Sequence, residues 1–191
     1  QAQAVRYCSD NGISVPQGLA YLEGGMRDNY LHDMRICQKY AELNRRWIGT
    51  LLIDFLDNKS ELSSAIESVH NYIGDDNIIR KGAVSSLKGE LLIIPINMRD
   101  GSLLCRGKGN ADWNFSAPHG AGRILGRGEA KRVLSVEEFQ ETMEGVFSTT
   151  VGQRTLDEAP SAYKPMDEIV SNIGDTVEIL QIIKPIYNFK A

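Results

Sequence analysis

The chain has 191 residues, enough for one good-sized domain or two small ones. It is 42% hydrophobic and 24% charged with a formal charge of −4, which is ordinary globular composition and argues against indiscriminate nucleic-acid binding through overall charge. No apolar run reaches the ~20 residues a bilayer span needs, QAQAVRYCSD has neither zone of a signal peptide, and Cys8, Cys37 and Cys105 form no CxxC pair, so a reducing, cytoplasmic setting away from membranes is expected.

Residues 1–29 read as irregular, with Gly12, Pro16, Gly18 and Gly24-Gly25 as breakers. A helix follows in YLHDMRICQKYAELNRRWI, where Tyr30, Met34, Cys37, Ala41 and Ile48 share one 3.6-period stripe. GTLLIDFLD extends it, and SELSSAIESV predicts a second short helix capped by Ser60 or Ser63. Short apolar runs then alternate with Gly, Asp and Asn turn signals: Tyr72-Ile73, Ile78-Ile79, Leu91 to Ile94 and Leu103-Leu104. They predict short hairpin-linked strands, with Lys88-Gly89-Glu90 as a turn. GRILGRGEAKRVLS predicts a helix start despite Gly126 and Gly128, and Ser135 caps VEEFQETMEGVF with Glu138 at the capping-box position. Residues 157–165 read as a loop, and the chain closes with a helix and a strand, IIKPIYNFK. Helix, strands, helices, strand is an α+β order, expected to form mixed short-strand sheets flanked by helices in one domain over 1–191, with 1–18 irregular.

The charge is unevenly spread. Residues 99–132 carry seven basic side chains against three acids, about +4 in an acidic protein. A solvated basic face is one explanation; a phosphate-binding segment is the other. NFSAPHGAGR lies within it and holds one of only three histidines. His32 sits off the main helical stripe and reads as a surface residue. His70, at a helix–strand junction, reads as structural. His119 differs in its neighbours. A Gly-Ala-Gly turn can aim several N–H groups at one point and form an anion nest. Arg123 and Arg127, four apart, would face the same side of a helical turn and offer guanidinium forks to phosphate. PHGAG also fits a tight turn with the imidazole as a cap. No Lys-Ser pair ends the run and no strand with GxGxxG precedes it, so it is neither a Walker loop nor a dinucleotide fingerprint. A histidine beside such a nest can attack phosphorus, with charge neutralisation from the nest, arginines and a metal.

PHGAGR resembles the signature of the RtcB-type RNA-splicing ligases, and five further segments resemble family motifs in the same order. They are NYLHDMRICQKYAELNRRWI, VHNYI with IRKGAV, IPINMRDGSLLCRGKGN, DEAPSAYKPMDEIV and the closing FKA. The likeness runs from about residue 19 to the end and implies the C-terminal portion of an RtcB-like fold. It also implies an enzyme that uses GTP and manganese (Mn2+) to guanylylate a histidine. The GMP then passes to an RNA 3′-phosphate, and the 5′-hydroxyl of a second RNA displaces it. Ends with 2′,3′-cyclic phosphates belong to the same repair and tRNA-splicing chemistry. By position the resemblance makes His119 the nucleophile and His70 a manganese ligand. Ala121 and Gly122 would touch guanylate through the backbone. Asn97, Met98 and Ser102 would lie along the guanosine pocket, with Tyr163 against the nucleoside and Lys190 reading the base. Arg123 and Arg127 would hold phosphate or RNA ends.

Two departures stand out. Pro95-Ile96-Asn97-Met98 replaces the family's PGSM, and Gly126 replaces a serine common before the second arginine. The family's other metal ligands lie upstream of anything in this chain. The resemblance therefore implies partners: RNA with 3′-phosphate and 5′-hydroxyl ends, the missing N-terminal half of the ligase, and an accessory activator protein. Alone, the chain is expected to be inactive. The alternative is a non-catalytic nucleotide- or RNA-end-binding module that keeps the phosphate nest. A hydrolase of cyclic phosphates is a third reading.

Overall fold

A computed structural model of the chain describes residues 1–56 and 65–188. The chain divides into two compact units, residues 1–65 and 66–191. The expected caps Ser60 and Ser63 lie outside the described residues, and residues 65–69 are not helical.

The first unit is helical. Helix α1 (Ala2–Asp10) forms within the stretch whose breakers predicted irregular chain. Its nine residues precede Gly12, at φ +67, so the breakers end a helix there rather than prevent one. The Cys8 thiol is buried and donates to the Tyr21 carbonyl at 3.4 Å. Helix α2 (Gly24–Phe55) is one continuous element, so GTLLIDF does extend the expected helix. No proline interrupts it, and the Lys39–Glu42 pair (2.9 Å) bridges its surface one turn apart. None of its residues is buried. Among the described residues no helix is long and apolar enough to cross a membrane.

The second unit holds the sheets, and the fold is α+β as expected. Strands β1 (His70–Ile73) and β2 (Ile79–Ser85) pair antiparallel, and β2 pairs antiparallel with β5 (Ser116–Pro118). A second antiparallel sheet has the order β3 (Leu91–Asn97), β4 (Gly101–Gly107), β7 (Val177–Ile183). The final strand thus begins earlier than predicted and stops before Lys184-Pro185, where proline removes a ladder donor. A two-residue parallel ribbon joins β6 (Phe147–Ser148) to β8 (Tyr187–Asn188).

Alternation decides what each strand buries. In β3, Leu92, Ile94 and Ile96 point into the core; in β4, Leu103 and Cys105 meet them. Ile169 and Ile173, from helix α5 (Met166–Asn172) and its cap, join this cluster, as does Ala117 from β5. Burial pushes the Cys105 thiol up to about 11, so it stays protonated as a small apolar filler. Ile96, which stands where a family glycine was expected, is part of this core. A second cluster forms from Met98, Phe139, Met143, Leu156 and Ala159 beneath helices α3 (Arg127–Val133) and α4 (Val136–Thr142).

Ser135 caps α4 as its sequence predicts, its Oγ accepting from the Glu138 amide at 3.1 Å. Ser135→Ala is expected to cost about 1 kcal/mol, read as a lower urea midpoint. An unchanged midpoint would show that the cap contributes nothing measurable.

Candidate functional site

The sequence 114–123 becomes a tightly stitched loop. Asn114 and Phe115 both take positive φ, near +50, which is uncommon for asparagine and rare for a ring-bearing residue. Hydrogen bonds fix that conformation. The Phe115 amide donates to the Asn110 carbonyl, and its carbonyl accepts from the Ser86 amide, each at 2.9 Å. The chain then enters β5 and leaves it at His119.

Three neighbours hold the loop. The His119 amide donates to the Gly82 carbonyl at 3.4 Å, the Ala121 amide to the Pro95 carbonyl at 3.0 Å, and the Gly122 carbonyl accepts from Lys164 at 3.1 Å. Ile124 donates to Ala162 at 3.0 Å, closing a two-residue antiparallel bridge between Arg123 and Tyr163. Gly122 takes φ +76, which glycine alone adopts without strain. Among the described residues, the amides of Gly120, Gly122 and Arg123 have no hydrogen-bond partner. These three donors lie in the run where the nest was expected.

The His119 ring lies over the His70 ring, with centroids 5.0 Å apart and planes 30° apart. Gly82, at φ +73, brings bare backbone to this pair, and a Cβ there would sit 3.7 Å from His119 Nδ1. Asn71, itself at φ +60, accepts from the Gly82 amide at 3.3 Å through its side chain. The buried Arg80 supports the same strands from within. It grips Asp76 with two nitrogens (3.2 and 2.7 Å) and reaches Ser116 Oγ at 3.0 Å. Arg80 and Asn71 were not singled out in the sequence; only their place inside the VHNYI and IRKGAV segments pointed to them.

Arg123 and Arg127 do converge, but not by the route expected. Helix α3 begins at Arg127, with Gly126 as its N-cap in extended conformation, so Arg123 lies before the helix in the bridge to Tyr163. Gly126 and Gly128 lack the helix propensity to carry the first turn back to residue 123. What gathers the two arginines is a pair of carboxylates. Arg127 Nη1 meets Asp157 Oδ2 at 3.0 Å and Glu158 Oε1 at 3.1 Å, and Lys131 meets Asp157 Oδ1 at 3.1 Å. Arg123 donates to the Leu125 and Asp157 carbonyls and, at 3.0 Å, to the Tyr163 hydroxyl. Its guanidinium lies 4.8 Å from the Tyr163 ring centroid. Tyr163 donates in turn to Glu158 Oε2 at 2.6 Å. Burial pushes the Tyr163 phenol up to about 12, and the Glu158 carboxylate adds to the shift. Burial raises the Asp157 carboxyl as well, but hydrogen bonding and charge from Lys131, with Arg127, outweigh it and hold it below the ordinary range. Asp157 and Glu158 were missed as site residues, although DEAPSAY places both within six residues of the tyrosine.

The other expected residues divide. Asn97 ends β3 and closes an Asx turn, accepting from the Arg99 amide (3.0 Å) and the Asp100 amide (2.8 Å) while its Nδ2 donates to Asp100 at 2.8 Å. Met98 is buried in the second core cluster, with its carbonyl bound by Asn188 at 3.1 Å. Ser102 is half-buried on β4, opposite Pro95 and Ile183. Ala121 is buried in the first core cluster, its amide already used. Lys190 lies outside the described residues. Among the described residues no three His, Cys, Asp or Glu side chains converge, so His70 and His119 alone do not make a complete metal site.

Comparison with known proteins places the whole chain in one family. The family model described as tRNA-splicing ligase RtcB matches residues 2–191. An RNA-splicing ligase RtcB1 from Escherichia coli is 32% identical over 186 residues, 88% of this chain and 45% of the relative. An RNA-splicing ligase RtcB from Mycobacterium bovis is 28% identical over 180 residues, 83% of this chain and 41% of the relative. A tRNA-splicing ligase RtcB from Aeropyrum pernix is 34% identical over 100 residues, 50% of this chain and 20% of the relative. The chain spans about half the length of the Escherichia coli relative.

Proposed function

On the premise that this chain belongs to the RtcB family of tRNA-splicing ligases, we propose that it carries the nucleotidyl-transfer half of an RNA ligase, with His119 as the nucleophile. An imidazole nitrogen attacks the α-phosphorus of GTP. The P–N bond forms as the bond to pyrophosphate breaks. An oxygen of an RNA 3′-phosphate then takes the GMP, and His119 is restored. The 5′-hydroxyl of a second RNA attacks that phosphorus last, forming the new phosphodiester and expelling GMP. Ends bearing 2′,3′-cyclic phosphates must be opened before this step.

One observation carries the reading: the His119 imidazole sits in a loop whose Gly120, Gly122 and Arg123 amides are left without partners. Such fixed donors oppose charge that grows on a phosphoryl group and need no rearrangement to do so. Arg127 is largely exposed and, among the described residues, its carboxylate contacts use Nη1, so its other donors would be available to an RNA phosphate. Arg123 adds fixed positive charge beside the loop. Tyr163 would face the nucleoside, Asn97, Met98 and Ser102 would border the guanosine, and Lys190 would read the base.

Manganese belongs to the proposal only in part. His70 would supply one donor and the upstream half of the ligase the others; when bound, the ion would neutralise phosphate charge. The upstream half of the ligase is accordingly a proposed partner, alongside an activator protein. The cytoplasm, which keeps Cys8, Cys37 and Cys105 reduced, is the proposed setting.

The test combines the chain with an upstream ligase half, manganese and labelled GTP. The expected result is an acid-labile GMP adduct on this chain and, with suitable RNA ends, a joined product. Nucleotide binding without adduct under any condition would favour a non-catalytic binding module. Phosphate release from cyclic ends without adduct would favour a hydrolase.

A further inference from the structure

Glu158 has no role in the chemistry described so far, yet it meets Tyr163, Arg123 and Arg127 in the cluster beside the His119 loop. Its Oε2 accepts from the Tyr163 hydroxyl at 2.6 Å, and its Oε1 faces Arg127 at 3.1 Å and Arg123 at 3.7 Å. Its side chain is mostly buried, so its charge is poorly screened. The Tyr163 hydroxyl is held from two directions at once: it accepts from Arg123 and donates to Glu158. The arginine also stacks against the ring. Backbone bonds on either side, Ile124 to Ala162 and Lys164 to Gly122, fix the two strands that carry them. A surface ion pair has none of these constraints. The hydroxyl and one ring face of Tyr163 are thereby both engaged.

We infer that Glu158 is a positioning residue for the nucleotide: by clamping the Tyr163 hydroxyl against Arg123, it fixes the face that the tyrosine turns to the guanosine. This rests on the nucleotidyl-transfer reading above. Arg123 and Arg127 divide the labour. Arg123 gives Nη1 to the Tyr163 hydroxyl and is itself anchored through Nε and Nη2 on the Leu125 and Asp157 carbonyls, while Arg127, among the described residues, meets the carboxylates through Nη1. Fixing a recognition ring before binding lowers the ordering cost at the moment of binding. Glu158 should therefore act on nucleotide affinity more than on the maximal rate.

The test measures adduct formation against GTP concentration, with the chain combined with an upstream half. Glu158→Ala is expected to raise the half-saturating GTP by about tenfold with a smaller change in maximal rate. Glu158→Gln keeps an acceptor oxygen for the phenol and is expected to recover most of that loss. In a Tyr163→Phe background, Glu158→Ala should add little, because the two act through one hydrogen bond. A wild-type profile for Glu158→Ala, or effects that multiply, would overturn the inference.

A second measurement separates its failure from failure of the ligase reading, because it needs no activity. Ring-labelled tyrosine in the full chain is titrated by NMR, with Tyr163 assigned through Tyr163→Phe. Its phenol should begin to ionise at higher pH than an exposed tyrosine, and at lower pH in Glu158→Gln than in wild type, because the variant loses the carboxylate charge. If the wild type makes no adduct, the ligase reading fails, and an identical titration in both proteins overturns the clamp as well.

Discussion

His119→Ala is expected to abolish guanylylation, a fall of at least about a thousandfold in adduct formed per unit time. No other group among the described residues can substitute at the same point. His70 stacks on the His119 ring, but it leaves from β1 rather than from the loop. The loss should be chemical and not structural. The His119 ring is only half-buried, and its loop is held by backbone bonds that alanine keeps. Unfolding should therefore shift by less than about 1 kcal/mol. GTP should still bind, because the free amides and Arg127 remain. Adduct formation by His119→Ala at the wild-type rate would remove the imidazole from the chemistry.

The second large effect is on the fold. Gly101 opens β4 at φ +83, and a Cβ built there would run into the Ile183 carbonyl oxygen on β7 and lie 2.9 Å from Pro185. Neither neighbour can give way cheaply: one is backbone in a sheet, the other a ring. Gly101→Ala should cost about 2–5 kcal/mol, the sum of a positive-φ penalty and overpacking. Gly89 makes the matching control. It takes φ +85 in the turn before β3, but nothing lies within 4 Å of its Cβ position. Gly89→Ala should cost only the conformational part, about 1–2 kcal/mol. Urea unfolding of both would separate strain from collision, and equal costs would deny the collision. Gly101 also sets the turn that carries Asn97 and Ser102, so its substitution should weaken nucleotide binding by an independent route.

The strands were legible because short apolar runs are separated by Gly, Asp and Asn turn signals. The run Leu91 to Ile94 announced β3, and Lys88-Gly89-Glu90 the turn before it. Ser135 announced its helix through a side-chain oxygen that only a cap position uses. Helix α1 was hidden because Gly12 and Pro16 drew attention to breakers that stand after it. The family was legible in the chain order of its motifs. The site was illegible wherever tertiary contact decides. Arg123 and Arg127 are four apart in sequence, which suggested a shared helical face. They meet instead through Asp157 and Glu158, some thirty residues away, and no local period encodes that meeting. The same reason hid Arg80. A buried arginine cannot be told from an exposed one until Asp76 and Ser116 are placed beside it.

The most direct test is to locate the nucleotide. The chain is combined with an upstream half, GTP and manganese, digested at alkaline pH to preserve a P–N bond, and sequenced by mass spectrometry. The account predicts GMP on the peptide spanning residue 119, attached to the His119 imidazole. GMP attached to a lysine, or a fully active preparation with no modified histidine, would contradict it.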